Sequence, residues 1–183
     1  YHQFDQTGLD GACGEILDHM GDVVAELAAR TPAAKHSGIW VGSEGVVTPL
    51  HYDAWPGLLF QTEGTKQVSM FTPADAANLY LASPFDATGP WSDLPPRSRE
   101  ADPARFPRLR RARRYEATLK AGDTLFVPPF WAHEMQALEP NISVPLRFAI
   151  ETRHQLHPHF LRPAWEQLHN PYLVRAGLGR SEQ

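Results

Sequence analysis

Residues 40–53 read WVGSEGVVTPLHYD, and the His51-Tyr52-Asp53 triplet that ends this stretch decides how the whole chain is interpreted. The β-branched and apolar residues before the triplet predict a strand from Val46 to Asp53. Because side chains alternate between the two faces of a strand, His51 and Asp53 should point to one side and Tyr52 to the other. An imidazole and a carboxylate on one face can bind the same metal ion.

A third metal ligand must come from elsewhere in the chain, and His133 is the best candidate. It follows residues 122–132, GDTLFVPPFWA, in which a predicted strand ends at a double proline. Two histidines and one carboxylate leave three positions of a metal open, as in the facial triad of non-haem Fe(II) oxygenases. A His-x-Asp pair also occurs without a metal, as hydrogen-bonded core histidines do, so the case depends on the surrounding sequence.

Short β-type segments fill the middle of the chain, with a helical segment predicted on each side. Apolar residues at helical spacing predict a helix over 11–30, and the tail over 158–177 is also predicted to be helical. Glu63-Gly64 is typical of a hairpin turn between two strands. The pattern therefore predicts a mainly β fold, a barrel or sandwich core with helical additions. The predicted strands are 39–41, 46–53, 58–62, 66–71, 115–119, 124–127 and 142–150, with a short helix at 73–81 and a loop at 82–114.

Composition narrows the class of protein and its partners. Hydrophobic residues make up 42% of the chain and charged residues 21%, as in globular proteins. A net charge of -4 gives no global reason to expect nucleic acid or an anionic membrane as partner. No apolar run approaches the roughly 18 residues of a membrane span. The single cysteine, Cys13, excludes an intrachain disulfide and fits a cytoplasmic location. The first residue is Tyr1 rather than Met, which leaves open that the sequence is a fragment.

Two glycine-bounded motifs resemble those of the cupin superfamily. Gly45 precedes His51 by six residues, and Gly122 precedes Pro128 by six, with His133 five residues further on. Asp53 stands where metal-binding cupins have a second histidine. Residues 40–53 are similar to the first-ligand strand of the Jumonji-C (cupin-like) hydroxylases, in particular of the asparaginyl hydroxylase type that acts on hypoxia-inducible factor. The similarity covers roughly residues 39–150.

This resemblance implies a double-stranded β-helix (a cupin or jelly-roll barrel) at 39–150, between an N-terminal helical segment at 1–38 and a C-terminal helical tail at 151–183. It also implies a dioxygenase that uses Fe(II), 2-oxoglutarate and O2 to hydroxylate a carbon centre. His51, Asp53 and His133 would bind Fe(II). Lys66 occupies the position that binds the distal carboxylate of 2-oxoglutarate in the family, and Thr48 matches the hydroxyl that assists it.

Two positions depart from the family pattern. Gly57 stands four residues after Asp53, where the family places an asparagine near the C1 carboxylate of 2-oxoglutarate. Arg147 replaces a second asparagine on the final strand. It would either offer its charge to a carboxylate of the cosubstrate or substrate, or be a partly exposed strand arginine. Candidates for the wall of the substrate pocket are Trp55, Trp131 and Tyr52.

Two further groups of residues have a functional and a structural interpretation. The eight arginines between Arg97 and Arg114 would form a basic surface for an acidic peptide, a phosphate group or RNA, or else a solvated loop, which we favour. The histidines of the tail would form a second metal site or be simply exposed, which we again favour. These histidines are His154, His157 and His159.

The sequence leaves three functions to compare. The first is an oxygenase that hydroxylates a protein or peptide side chain, an amino acid or a natural-product intermediate, with a homodimer through residues 160–178 as a further expectation. The second is a metal-binding cupin that acts as an isomerase, a dioxygenase independent of a keto acid, or a ligand-binding module. The third is an inactive interaction scaffold. Lys66 separates the first from the second, because only the first needs a buried lysine there.

Overall fold

The computed structural model describes residues 2–5, 34–82 and 90–148, and these form nine strands in two antiparallel sheets. The five-stranded sheet has the order β1-β2-β9-β4-β7, and the four-stranded sheet has the order β3-β8-β5-β6. The strands are β1 (His2–Asp5), β2 (Ala34–Gly42), β3 (Val47–Tyr52), β4 (Gly57–Glu63), β5 (Lys66–Phe71), β6 (Tyr115–Leu119), β7 (Thr124–Val127), β8 (Ala132–Ala137) and β9 (Asn141–Phe148).

From β2 onward the chain passes to the other sheet at every connection except the one between β5 and β6. Such alternation builds a jelly roll, in which two sheets face each other across a shared interior. The mainly β prediction is therefore confirmed. The five-stranded sheet begins before residue 39, since β1 and the start of β2 belong to it.

The predicted flanking helices, over 11–30 and 158–177, lie outside the described residues and have no support. Within the described ranges the helices are three short 3-10 segments: Pro73–Asn78, Ser98–Glu100 and Leu109–Arg111. None of these is long and apolar enough to cross a membrane. The tail histidines and the segment proposed to form a dimer also lie outside the described part of the chain.

The predicted hairpin at Glu63-Gly64 is wrong, although the chain does turn there. β4 pairs with β7 and β9, whereas β5 pairs with β6 and β8, so the two strands belong to different sheets. Gly64 has a φ of +68°, and a Cβ at this position would overlap the carbonyl oxygen of Pro140 and crowd Asn141, the first residue of β9. The turn therefore carries the chain from one sheet to the other and places Lys66 at the start of the second.

Hydrophobic residues fill the space between the sheets and also cover the outer face of the four-stranded sheet. The inner cluster consists of Leu59, Val68, Met70, Leu119, Val127 and Met135. The outer cluster joins Leu50, Tyr52 and Phe71 to side chains from residues 76–109. Strands β5 and β8 at the centre of the four-stranded sheet are thus largely buried on both faces, whereas β6 at its edge is exposed except at Leu119.

The arginine-rich segment lies largely against this outer layer. Arg114 donates hydrogen bonds to Ser69 and Ser98, and the Arg108 guanidinium lies 4.1 Å from the centre of the Tyr80 ring. Arg99 pairs with Glu116. These local contacts support the structural interpretation of the segment.

Replacement of Gly64 by alanine should destabilise the fold more than the same change at Gly122. Both glycines have a positive φ, which costs an alanine about 1–2 kcal/mol. A Cβ at Gly64 would also lie 2.9 Å from Asn141 Cβ and 3.0 Å from Asn141 Cα, whereas a Cβ at Gly122 would meet nothing within 4 Å. We expect Gly64→Ala to lower the free energy of unfolding by about 2 kcal/mol more than Gly122→Ala, because overpacking adds to the backbone cost. Urea unfolding measures both values, and equal losses would contradict the close approach at the turn.

Candidate metal centre

The three predicted ligands lie close together where β3 ends and β8 begins. His51 on β3 pairs with His133 on β8, and the centres of the two rings are 4.4 Å apart. Asp53 directly follows β3, and its Oδ2 lies 3.9 Å from His133 Nε2. One ligand atom from each residue can be chosen so that all lie within 4.8 Å of one another. Such a cluster can hold one ion.

Backbone hydrogen bonds orient both imidazoles toward this point. His51 Nδ1 lies 2.8 Å from the carbonyl of Pro49, and His133 Nδ1 lies 3.0 Å from the carbonyl of Trp131. A carbonyl only accepts, so each Nδ1 carries the proton and each Nε2 keeps its lone pair for a metal. The two side chains are 5% and 3% exposed.

Burial also keeps the imidazoles neutral. It lowers the pKa of His51 to about 4, with a further lowering from His133, and it lowers the pKa of His133 as well. Both rings are therefore uncharged near pH 7, the state in which histidine binds a metal.

A bulge in β3 brings Thr48 to the same face as His51. Thr48 pairs with Met135 and His51 pairs with His133, so two residues of β3, Pro49 and Leu50, stand opposite one residue of β8, Glu134. In a regular strand, residues three apart point to opposite faces, and the extra residue of the bulge cancels this difference. Thr48 therefore lies in the wall of the same cavity as His51 and Asp53.

The cavity has a volume of about 340 Å³, and aromatic side chains form much of its wall. Trp91 stacks on His51, with ring centres 4.4 Å apart, and Trp40 lies across from the ligand-bearing sheet. A smaller recess at Trp55 and Gly57 adjoins it. The lining residues are Trp40, Val47, Thr48, Pro49, His51, Asp53, Pro90, Trp91 and Arg147.

Two of the proposed pocket residues do not line either space. Tyr52 belongs to the outer hydrophobic cluster, since alternation along β3 turns it away from His51. Trp131 packs against the inner cluster and lies 5.8 Å from the ring of Tyr115. Trp55 does lie beside the site, whereas Trp40 and Trp91 form the main wall.

Lys66 is 3% exposed and points into the interior. Its Nζ donates a hydrogen bond of 2.6 Å to Ser143 Oγ, which donates one of 2.8 Å to Gln61 Oε1. Among the described residues Lys66 forms no ion pair, and burial lowers its pKa to about 8. Ser143 and Gln61 were not predicted, because strands distant in sequence bring them to the lysine.

Arg147 lies beside the metal ligands rather than beside Lys66. Its Nη2 donates a hydrogen bond of 2.9 Å to Asp53 Oδ2, and its side chain is 28% exposed. On the neighbouring strand it pairs with Gly57, so the two departures from the family pattern face each other. The geometry makes Arg147 a partner of the metal-binding carboxylate.

The donor set fits Fe(II) or a similar divalent metal. It offers two neutral nitrogens and one carboxylate oxygen from one side, which leaves the other side for exogenous ligands. The Nδ1 atom of each imidazole has a hydrogen-bond partner, and so does the Asp53 carboxylate. Functional metal sites generally have such partners for their ligands.

Comparison with known proteins gives one family and several relatives. A family model described as "Cupin-like domain" matches residues 2–151. HSPB1-associated protein 1 of Bos taurus is 33% identical over 156 residues, which cover 81% of this chain and 32% of the relative. Jumonji C domain-containing protein 5 of Drosophila melanogaster is 34% identical, over 62% of this chain and 28% of the relative. The human tRNA wybutosine-synthesizing protein 5 is 38% identical, over 57% and 31%. The chain thus spans about a third of the length of these relatives.

We expect the protein to bind one Fe(II). His133→Ala should weaken that binding by at least about 100-fold, since losing a ligand should cost more than losing a group that hydrogen-bonds to a ligand. Glu134→Gln is the matched control: Glu134 is next in sequence but points to the outer face, where it accepts a hydrogen bond from the Ser98 amide. Anaerobic titration with Fe(II) measures both affinities. Equal weakening in the two variants would mean that the effect is one of folding.

Proposed function

The chain belongs to the cupin-like domain family, and from this premise we propose that it is an Fe(II)- and 2-oxoglutarate-dependent oxygenase that hydroxylates a carbon centre. One observation carries the proposal: a buried lysine without an acidic partner among the described residues faces the same interior as the metal triad. A buried cation is costly unless an anion compensates it. A dicarboxylate that also binds the metal would provide that anion.

Strand register supports this assignment. Lys66 pairs with Ala137, four residues along β8 from His133, and Thr48 pairs with Met135 between them. Even spacing puts these residues on one face, and four residues span about 13 Å at 3.3 Å per residue. A lysine side chain and an extended five-carbon diacid together can bridge this distance. The Thr48 hydroxyl would then lie beside the bound diacid.

The protein's own residues bind and orient the reactants. Bound Fe(II) would supply the redox chemistry at its three open positions. Lys66 would hold the far carboxylate of 2-oxoglutarate by a charge-assisted hydrogen bond, with Ser143 and Gln61 fixing the ammonium. Arg147 keeps the Asp53 carboxylate in place, and Trp91 covers one face of His51 and shields it from water.

We propose a peptide, a protein or a small molecule as the substrate, and the cytoplasm as the location. The apolar walls of the cavity suit a carbon skeleton.

Replacement of Lys66 by methionine should separate cosubstrate binding from metal binding. Loss of a charge-assisted contact to a carboxylate should weaken 2-oxoglutarate binding by about 10- to 100-fold. Fe(II) affinity should stay within about threefold, since no metal ligand changes. The metal-free variant should unfold at higher urea, because a buried cation without a partner is removed. Anaerobic absorbance titrations of metal and cosubstrate measure the first two effects. Parallel loss of both affinities would make Lys66 a structural residue.

The affinity for 2-oxoglutarate should fall as the pH rises above about 8. Burial lowers the pKa of Lys66 to about 8, so the unliganded protein loses the ammonium above this value. A bound carboxylate favours the charged form, so the affinity should fall by up to about tenfold per pH unit until the pKa of the complex is reached. Binding isotherms between pH 7 and 9.5 test this, with Lys66→Met as the control that lacks the dependence. A flat profile in the unmodified protein would contradict a role for the ammonium.

A further inference from the structure

We propose that Arg147 recognises a carboxylate of the oxidised substrate, so that this protein acts on a carbon centre close to a carboxylate group. The inference rests on the proposed function and names the class of its substrate. Its basis is the position of Arg147, which lines both the main cavity and the smaller recess and touches a metal ligand.

Arg147 has donors to spare. A guanidinium offers five N–H groups in a planar fork that matches a carboxylate. One of them binds Asp53, and no other hydrogen bond from this side chain is present among the described residues. Its partial exposure leaves the remaining donors within reach of a molecule that enters the cavity.

Gly57 leaves room for this arrangement. It pairs directly with Arg147 across β4 and β9, and a Cβ at residue 57 would lie 3.8 Å from Arg147 Cγ. Any longer side chain there would extend along the arginine and compete for the recess. The absence of a side chain at this position therefore keeps the recess open beside the guanidinium.

The balance of charge at the site indicates which kind of group would bind in the recess beside Arg147. The imidazoles are neutral, and the single carboxylate among the described lining residues is Asp53. Bound Fe(II), Asp53, Lys66 and doubly charged 2-oxoglutarate together carry no net charge. Arg147 then leaves one positive charge in a half-buried position, where water screens it only in part. A substrate with one negative charge next to Arg147 would neutralise it.

The size of the site favours a carboxylate over a larger anion. A volume of about 340 Å³ is at the small end of ligand pockets, which span about 300–1,000 Å³. Part of that space must hold 2-oxoglutarate. What remains suits a group the size of an amino-acid side chain, with Trp40 and Trp91 against its carbon atoms. The carboxylate would belong to a small free acid or to an acidic side chain in a peptide.

Matched pairs of probes test the proposal without turnover. The protein is loaded with Zn(II), which supports no oxidation, and saturated with 2-oxoglutarate. Calorimetry then compares N-acetylated amino acids with their primary amides, and pentapeptides that carry Asp or Glu as their one charged group with those that carry Asn or Gln instead. We expect at least one acid to bind about tenfold more tightly than its amide, and Arg147→Gln to reduce that preference to below about twofold. A preference for the N-acetylated amino acid over its amide would indicate a free acid as the substrate. A preference for the Asp or Glu peptide would indicate an acidic side chain.

Arg111→Gln is the matched control, because it removes the same charge from an exposed 3-10 helix that does not line the cavity. The control should keep the acid preference. Zn(II) is added until its content is equal in all three proteins, because loss of the Arg147–Asp53 hydrogen bond should weaken metal binding. Absence of any acid preference in the unmodified protein, or a preference that survives in Arg147→Gln, would overturn the proposal.

Two further outcomes also overturn it. Arg147→Gln could weaken 2-oxoglutarate by tenfold and leave the acid preference intact, which would assign the arginine to the cosubstrate. A phosphoserine peptide could bind tenfold better than every carboxylate. Failure of 2-oxoglutarate to bind the Zn(II) protein would instead contradict the proposed function. The same acid and amide pairs, measured with Zn(II) alone, would then still decide the role of Arg147.

Discussion

The pairing of His51 with His133 across β3 and β8 is the constraint on which the rest of the site depends. A cross-strand pair places two side chains on one face at a fixed distance, and here both rings also have their Nδ1 atoms tied to backbone carbonyls. The two nitrogens that would face a metal are therefore positioned by backbone geometry. A change of register by one residue would turn one ring to the outer face and destroy the site.

Strand alternation lets each ligand-bearing strand perform two tasks. On β3, His51 and Thr48 face the interior while Leu50 and Tyr52 pack in the outer hydrophobic cluster. On β8, His133 faces inward and Glu134 accepts a hydrogen bond from the 90–114 segment outside. That segment covers the back of the four-stranded sheet and so keeps the strands that hold the triad buried on both faces. Its arginines contribute to this layer through contacts with aromatic rings and acidic side chains.

Two positively charged side chains, Lys66 and Arg147, face the interior at different depths. Lys66 is deep and held by neutral groups, while Arg147 is near the opening and bonded to Asp53. Core positions normally exclude such groups unless a partner compensates the charge. Their different depths suit two different anions, one that reaches past the metal and one that stays beside it. The stability lost through the buried lysine is consistent with a site selected for binding rather than for folding.

The sequence by itself determined the β class, most strand positions and the three candidate metal ligands, because these depend on local pattern. Alternation predicted the shared face of His51 and Asp53, and the bounds of β5, β6 and β7 were predicted without error. Strands β1 and β8 were missed: β1 is short and largely polar, and in β8 the prolines before His133 and the polar residues after it conceal the pattern. Tertiary structure alone decided that β4 and β5 lie in different sheets, that a bulge turns Thr48 inward, that Ser143 and Gln61 reach Lys66, and that Arg147 bonds to Asp53. Each of these follows from pairing between strands far apart in the chain, and a local pattern contains no information about which distant strand will be the neighbour.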